Sequence, residues 1–332
     1  MEPVFKDIHQ IGIVTKNLRE TIMKFTDGYG ISPWNIWEYN NIIVKDMIVR
    51  NKRIDYKMLV ATCKTGNVDW EIVEPLDNNS IYYEFLMTNG EGLQHINYIV
   101  NNFNATVNFF KNKGLKIEQA GNLFGKHNFV YFNCKSDLKH IVELSKSESD
   151  LKRIEPMESY PYNKGSNITV ESFLRKVAEI GIIVEDAKLT AKQYNDNYGI
   201  GPWSFYNYNP KTVSNMEIDG IKKDHKYIIA KTVIGKFELV LAQPLDDLNI
   251  FSKYLNKYGE GLHHIGFMVD DFNKILESIV KKGHKIMQSG NWKGQRYLYI
   301  SSENDLKFVV KLIDNFKNFK KLKPDFIYPS KD

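Results

Sequence analysis

The chain has 332 residues, 42% apolar and 26% charged, with a net charge of +5 and a pI near 8.8, which is soluble, globular and long enough for two domains of ordinary size. Its 45 basic residues include only six arginines and are scattered among asparagines, unlike the focused basic face of a nucleic-acid binder. There is no uncharged apolar run of about 18 residues to span a membrane, no signal-peptide core near Met1, and only two cysteines, Cys63 and Cys134, too few for a disulfide framework or a thiolate zinc site.

In chain order, the first apolar strand is Gln10–Val14, and a helix pattern at Leu18, Ile22 and Phe25 follows it. A second strand begins at His95, with helix positions Phe103, Val107 and Phe110 and a stop at Gly114. The third opens at Glu179, before Ala187, Ala191 and Tyr194 with Asp186 as N-cap. The fourth opens at His264, before Phe272, Leu276 and Ile279, between Asp271 and Gly283. Alternating runs come after each helix, as at 57–61, 69–73, 129–132 and 140–144 in the first half. The halves are copies. Gly90-Glu91-Gly92-Leu93-Gln94-His95-Ile96 returns as Gly259-Glu260-Gly261-Leu262-His263-His264-Ile265, a shift of 169 residues (264 minus 95). The same shift carries Gly30-Ile31-Ser32-Pro33-Trp34 onto Gly199-Ile200-Gly201-Pro202-Trp203, and Glu74-Pro75-Leu76-Asp77 onto Gln243-Pro244-Leu245-Asp246.

The unit read from these runs is strand–helix–three strands, four times over, an α+β chain of two tandem modules. They span 1–145 and 174–314, with a linker at 146–173 and a tail at 315–332. The linker is rich in Lys, Ser, Asp and Asn with Pro156 and Pro161. The tail is Lys-rich with Phe316, Phe319 and Phe326, and reads as solvated or loosely docked. Trp34 and Trp203 read as gap fillers after helix-breaking Pro33 and Pro202.

Splitting the strands by alternation assigns a function to one face. Ile11, Ile13, Trp70, Ile72, Ile96, Tyr98, Val142 and Leu144 form apolar faces that belong under the helices. Gln10 with Gly12, Glu71, His95 with Asn97, and Glu143 lie on the opposite faces, as the wall of a cavity would. His9 falls on the wrong face for a ligand, because a one-residue slip inverts a strand.

Paired units carrying these three motifs resemble the vicinal oxygen chelate (glyoxalase / bleomycin-resistance / extradiol dioxygenase) superfamily, nearest its methylmalonyl-CoA epimerase and glyoxalase I branches. The resemblance implies four βαβββ units forming two tandem glyoxalase-like modules, each curling into a cup around a divalent metal. Carried over, the ligands are Gln10, Glu71, His95 and Glu143, an N/O set suited to Zn, Ni, Co, Mn or Fe. Glu143 is the expected base and Glu71 a ligand or second base, with Asp55 or Glu38 as an acid on the opposite side of the substrate. The implied reaction is isomerisation, epimerisation or lyase chemistry beside a carbonyl, on an acyl-CoA thioester or glutathione-adduct type of substrate. Two other readings share the fold: a metal-free protein that sequesters small molecules, and an Fe(II) dioxygenase, for which Gln10 replaces a needed His. In the second copy the equivalents are Glu179, Val240, His264 and Lys311, so no catalytic metal is expected there, and Lys311 is expected either to pair with Glu179 or to fill a structural barrel. The His263-His264 doublet then reads as a signature of the fold. The expected partner is a small, anionic molecule, with neither nucleic acid nor membrane involved; a homo-oligomer is compatible with the sequence, and the expected location is the cytoplasm.

Overall fold

The computed structural model describes residues 2–145, 155–161, 174–315 and 323–330. Two compact units have their main bodies at Val4–Ser172 and Phe173–Asp332. In the first, the order is β1 (Asp7–Val14), α1 (Leu18–Met23, extended by a π-helical turn to Gly28), β2 (Trp34–Tyr39), β3 (Val44–Val49), β4 (Lys52–Arg53), β5 (Met58–Thr65) and β6 (Val68–Pro75). Then come α2 (Ile81–Asn89), β7 (Gly92–Ile99), α3 (Phe103–Asn112), β8 (Ile117–Leu123), β9 (His127–Asn133), β10 (Ile141–Ser145) and β11 (Glu158–Tyr160). All join one curled mixed sheet in the order β11-β2-β5-β6-β1-β7-β10-β9-β8-β3-β4. At its centre β1 runs parallel to β6 and antiparallel to β7.

The second unit repeats the plan as β12 (Val177–Ile183), α4 (Ala187–Tyr198), β13 (Trp203–Tyr208), β14 (Val213–Ile218), β15 (Ile221–Lys222), β16 (Tyr227–Ile234) and β17 (Phe237–Pro244). It continues through α5 (Ile250–Tyr258), β18 (Gly261–Val269), α6 (Phe272–Lys281), β19 (Ile286–Trp292), β20 (Gln295–Ile300), α7 (Glu303–Leu306), β21 (Val309–Asp314) and β22 (Phe326–Tyr328). Among the described residues no helix is long and apolar enough to cross a membrane.

Each module is therefore α+β, with additions that the four-unit formula omits. The hairpin β3–β4 crosses over to pair with β8, and α2 joins the two halves. Neither was legible, because Val44–Val49 breaks alternation with Lys45 and Asp46 adjacent, and Ile81–Asn89 follows a turn-rich stretch. Trp34 opens strand β2 as well as filling a gap, its indole donating to the Ile31 carbonyl at 2.8 Å. The expected linker and tail lie largely outside the described residues, Phe316 and Phe319 included. The parts that are described form edge strands, β11 on β2 and β22 on β13.

The repeated motifs prove to be ties within each module. Glu91 accepts from Thr15 Oγ1 at 2.7 Å and from the Lys16 amide at 3.1 Å, and Glu260 accepts from the Glu185 amide at 3.0 Å. Glu74 and Gln243 accept from the first helical amides, Leu18 and Ala187, where the exposed N–H groups of a helix start need acceptors. Asp77 and Asp246 hold the amides of Lys57 and Lys226. Asp186 and Asp271 cap their helices as expected, and Gly114 and Gly283 follow α3 and α6 with φ of +80° and +82°, which suits glycine.

The helix-side faces pack as alternation requires. Trp34 and Trp70 meet Phe25 edge-on, with ring centroids 5.5 and 6.1 Å apart, and Tyr98 stacks on Phe5 at 3.9 Å. On the other face Val14, Val44, Val60, Val73, Tyr82 and Tyr131 form a second buried cluster. Each such side chain, fully buried, contributes about 1.5–3 kcal/mol.

Candidate metal centre

Register brings the expected residues of the first module onto one face. Across β1 and β7, Gln10 lies opposite Asn97 and Gly12 opposite His95. Glu71 of β6 is beside Gly12, and Glu143 of β10 is beside Asn97. Gly12 is obligatory: a Cβ there would stand 1.9 Å from the His95 ring. His9 sits at a register shift in β1, nearly half exposed and 3.2 Å from Asp69, outside the cluster.

Glu71, His95 and Glu143 converge, all buried, with one donor atom from each within 4.8 Å of the others. His95 Nε2 lies 3.1 Å from Glu71 Oε2 and 3.3 Å from Glu143 Oε2. None of these three buried atoms makes a hydrogen bond. Leaving three buried polar atoms unsatisfied is costly, so the arrangement calls for a cation at its centre. The spacing agrees, since donors held about 2.1 Å from a small divalent ion stand about 3.0–3.4 Å apart. On the far side of the ring, His95 Nδ1 donates to Gln94 Oε1 at 2.6 Å, which turns the Nε2 lone pair towards the carboxylates. The donor set and the orphaned atoms fit a divalent metal.

The electrostatics show the same strain. Burial alone would depress the His95 imidazole, but the adjacent carboxylates of Glu143 and Glu71 raise it to about 9. Burial pushes the Glu71 carboxyl up, with His95 opposing and Glu143 adding to the rise.

Gln10 is buried on the same face, yet among the described residues it makes no hydrogen bond to the three. Glu38 lies in β2 two residues beyond Ile36, its Oε1 accepting from Asn40 Nδ2 at 3.2 Å. Asp55 is exposed, bound by Asn41 Nδ2 at 2.7 Å, and lines a surface groove of about 660 Å³ with Lys45 and Arg53. The sequence reading missed Gln94 and a wall of tyrosines. Tyr131 and Tyr82 place their ring centroids 5.1 and 6.1 Å from His95. Burial first, then the charge of Glu71 and Glu143, holds the hydroxyls of Tyr39, Tyr82 and Tyr131 above the usual phenol range. Gln94 had a signal of its own, since the residue before the histidine can bind Nδ1 in both copies.

In the second module Val240 stands beside Gly181 where Glu71 stands beside Gly12. Lys311 is in register with Gly266 as Glu143 is with Asn97. The Lys311 ammonium lies 2.6 Å from Glu179 Oε1, the pairing that was one of the two readings the sequence left open. His264 Nε2 is 3.3 Å from the same oxygen, and Lys231, which sequence reading did not single out, reaches Glu179 Oε2 at 3.3 Å.

A sequence model of the Glyoxalase/Bleomycin resistance protein/Dioxygenase superfamily matches residues 9–132 and 179–299, once in each module. The chain belongs to that superfamily. Among solved structures, a variant of 4-hydroxymandelate synthase from Streptomyces coelicolor superimposes with a TM-score of 0.62 at 12% identity, covering 97% of this chain and 95% of that one. Likeness at that identity shows the fold alone, here its two-module form. Methylmalonyl-CoA epimerases from Mycobacterium tuberculosis (18% identity, TM-score 0.33, covering 43% of this chain and 89% of that one) and Streptomyces coelicolor (22%, 0.33, 42% and 96%) overlay one module's length. No curated protein sequence matches the chain.

Proposed function

We propose that the first module is a metal-dependent isomerase, epimerase or lyase acting on the carbon next to a carbonyl, with an acyl thioester or thiol adduct as the substrate class. The observation that carries this reading is the trio of buried, unsatisfied donor atoms on Glu71, His95 and Glu143. Glu71, His95 and Glu143 would hold the ion, with Gln10 as a further donor on the same face. A divalent ion bound there supplies Lewis-acid activation of a carbonyl oxygen.

The protein's own residues do the rest. Glu143 takes the proton from the carbon beside the carbonyl and returns it to the neighbouring carbon in an isomerisation; an epimerisation would in addition need a second acid to give a proton back to the same carbon from its opposite face. Gln94 keeps the His95 tautomer fixed, and the ring wall of Tyr82 and Tyr131 keeps bulk water from the carboxylates. The scarcity of imidazole in the set, one His with two carboxylates, sets it apart from a two-His-one-carboxylate iron centre.

The test is metal analysis of the purified protein, followed by exchange of solvent deuterium into acyl-CoA and hemithioacetal substrates. The expected result is stoichiometric metal and exchange that Glu143→Gln lowers by about 10²–10⁴-fold. Tight small-molecule binding without metal would convert the reading to a sequestering protein, and oxygen consumption with Fe(II) would convert it to a dioxygenase.

A further inference from the structure

The second module's cup conserves the imidazole and its glycine platform while inverting the charge around them. A Cβ on Gly181 would stand 1.9 Å from the His264 ring, as one on Gly12 would from His95. Position 97, however, has become Gly266, and the Glu179 side chain crosses the strand over it, where a Cβ would be 2.3 Å from Glu179 Cγ. That crossing delivers a fully buried carboxylate to His264 and Lys311. The inverted set is nearly neutral: Glu179 meets Lys311 and Lys231, and Lys231 is also bound to Glu238 at 3.0 Å. The Lys311 ammonium also lies 5.3 Å from the Tyr299 ring, a favourable cation–π distance.

We propose that Lys311 is a built-in cation in the seat a metal ion would take, so that the second module is held together without metal and, among the described residues, the one metal site is that of the first module, an inference that rests on the reading proposed for that module. An ammonium there satisfies the buried Glu179 carboxylate directly and repels any incoming divalent ion. Burial opposes ionisation of Glu179, yet Lys311, Lys231 and His264 together hold its carboxyl well below the usual range. The replacement involves both lysines, since Lys231 occupies the position of Thr62 in the first copy: the two pair with Val240 and Glu71 respectively.

The experiment is a count of Co(II) retained by the full chain after loading and desalting. Three proteins are compared: wild type, His264→Ala, and the double variant Lys311→Glu with Lys231→Thr, which removes both ammoniums and leaves carboxylates at 179 and 311 flanking His264. The double variant is expected to retain about one cobalt more than wild type, since a buried N/O donor set free of cations binds such ions, and His264→Ala is expected to retain as much as wild type. A folded double variant with no gain overturns the proposal, as does cobalt lost on His264→Ala. If the double variant does not fold, the His264→Ala comparison still decides. Wild type with no cobalt and a double variant that gains one sinks the function proposed for the first module while this inference stands; wild type with two sinks this inference and leaves that function in place.

Discussion

Where β10 of the first module carries Glu143, β21 of the second carries Lys311, and the two cups diverge from that point. In the first, two carboxylate oxygens lie within 3.3 Å of His95 Nε2, and none of the three atoms has a hydrogen-bond partner. In the second, an equally buried carboxylate is closed off by an ammonium at 2.6 Å. Backbone, register and glycine platform are shared. A duplicated fold thus keeps its frame while a few side chains decide whether the interior demands a cation from solution or contains one. The first arrangement leaves three buried donor atoms facing one another, whereas the second closes its carboxylate internally.

The largest expected effect is on metal retention. His95→Ala or Glu143→Ala should abolish it while His264→Ala leaves it intact, read by elemental analysis after dialysis; equal loss from both modules would erase the distinction. Next comes stability of the metal-free protein. Lys311→Met leaves Glu179 buried without its nearest partner and should destabilise by about 3–5 kcal/mol, whereas Glu143→Gln relieves like-charge crowding and should be neutral or stabilising. Urea denaturation of the two variants compares them directly, and a reversed order would show that the charges are not arranged as described. A smaller effect tests the hydrogen bond behind His95: Gln94→Leu should weaken metal binding about 10–100-fold, measured by competition with a chelator, with no matching change in the fold's circular dichroism.

The smallest effect is on pH dependence. The folded state holds the Glu179 carboxyl below its ordinary 4.5, so below that pH the unfolded chain takes up more protons than the folded one. The stabilisation is complete above about pH 4.5 and is lost as pH falls towards the folded value. Melting temperatures from pH 6 to pH 3 should therefore fall less steeply for Glu179→Gln than for wild type.

Much of this was legible in the chain itself. Self-similarity at one offset determined the duplication, and strict alternation in Ile141–Ser145 and Trp70–Pro75 put Glu143 and Glu71 opposite the apolar faces. The loss of Glu71 and Glu143 equivalents from the second copy was visible as Val240 and Lys311. All of these depend on the local period of a strand, which sequence carries directly. The tertiary structure alone decided what met across strands: the β3–β4 hairpin closing on β8, the tyrosines against His95, and Lys231 reaching Glu179. Those contacts join residues far apart in the chain, and their partners are chosen by register and by the space that Gly12, Gly181 and Gly266 leave open, which no local pattern encodes.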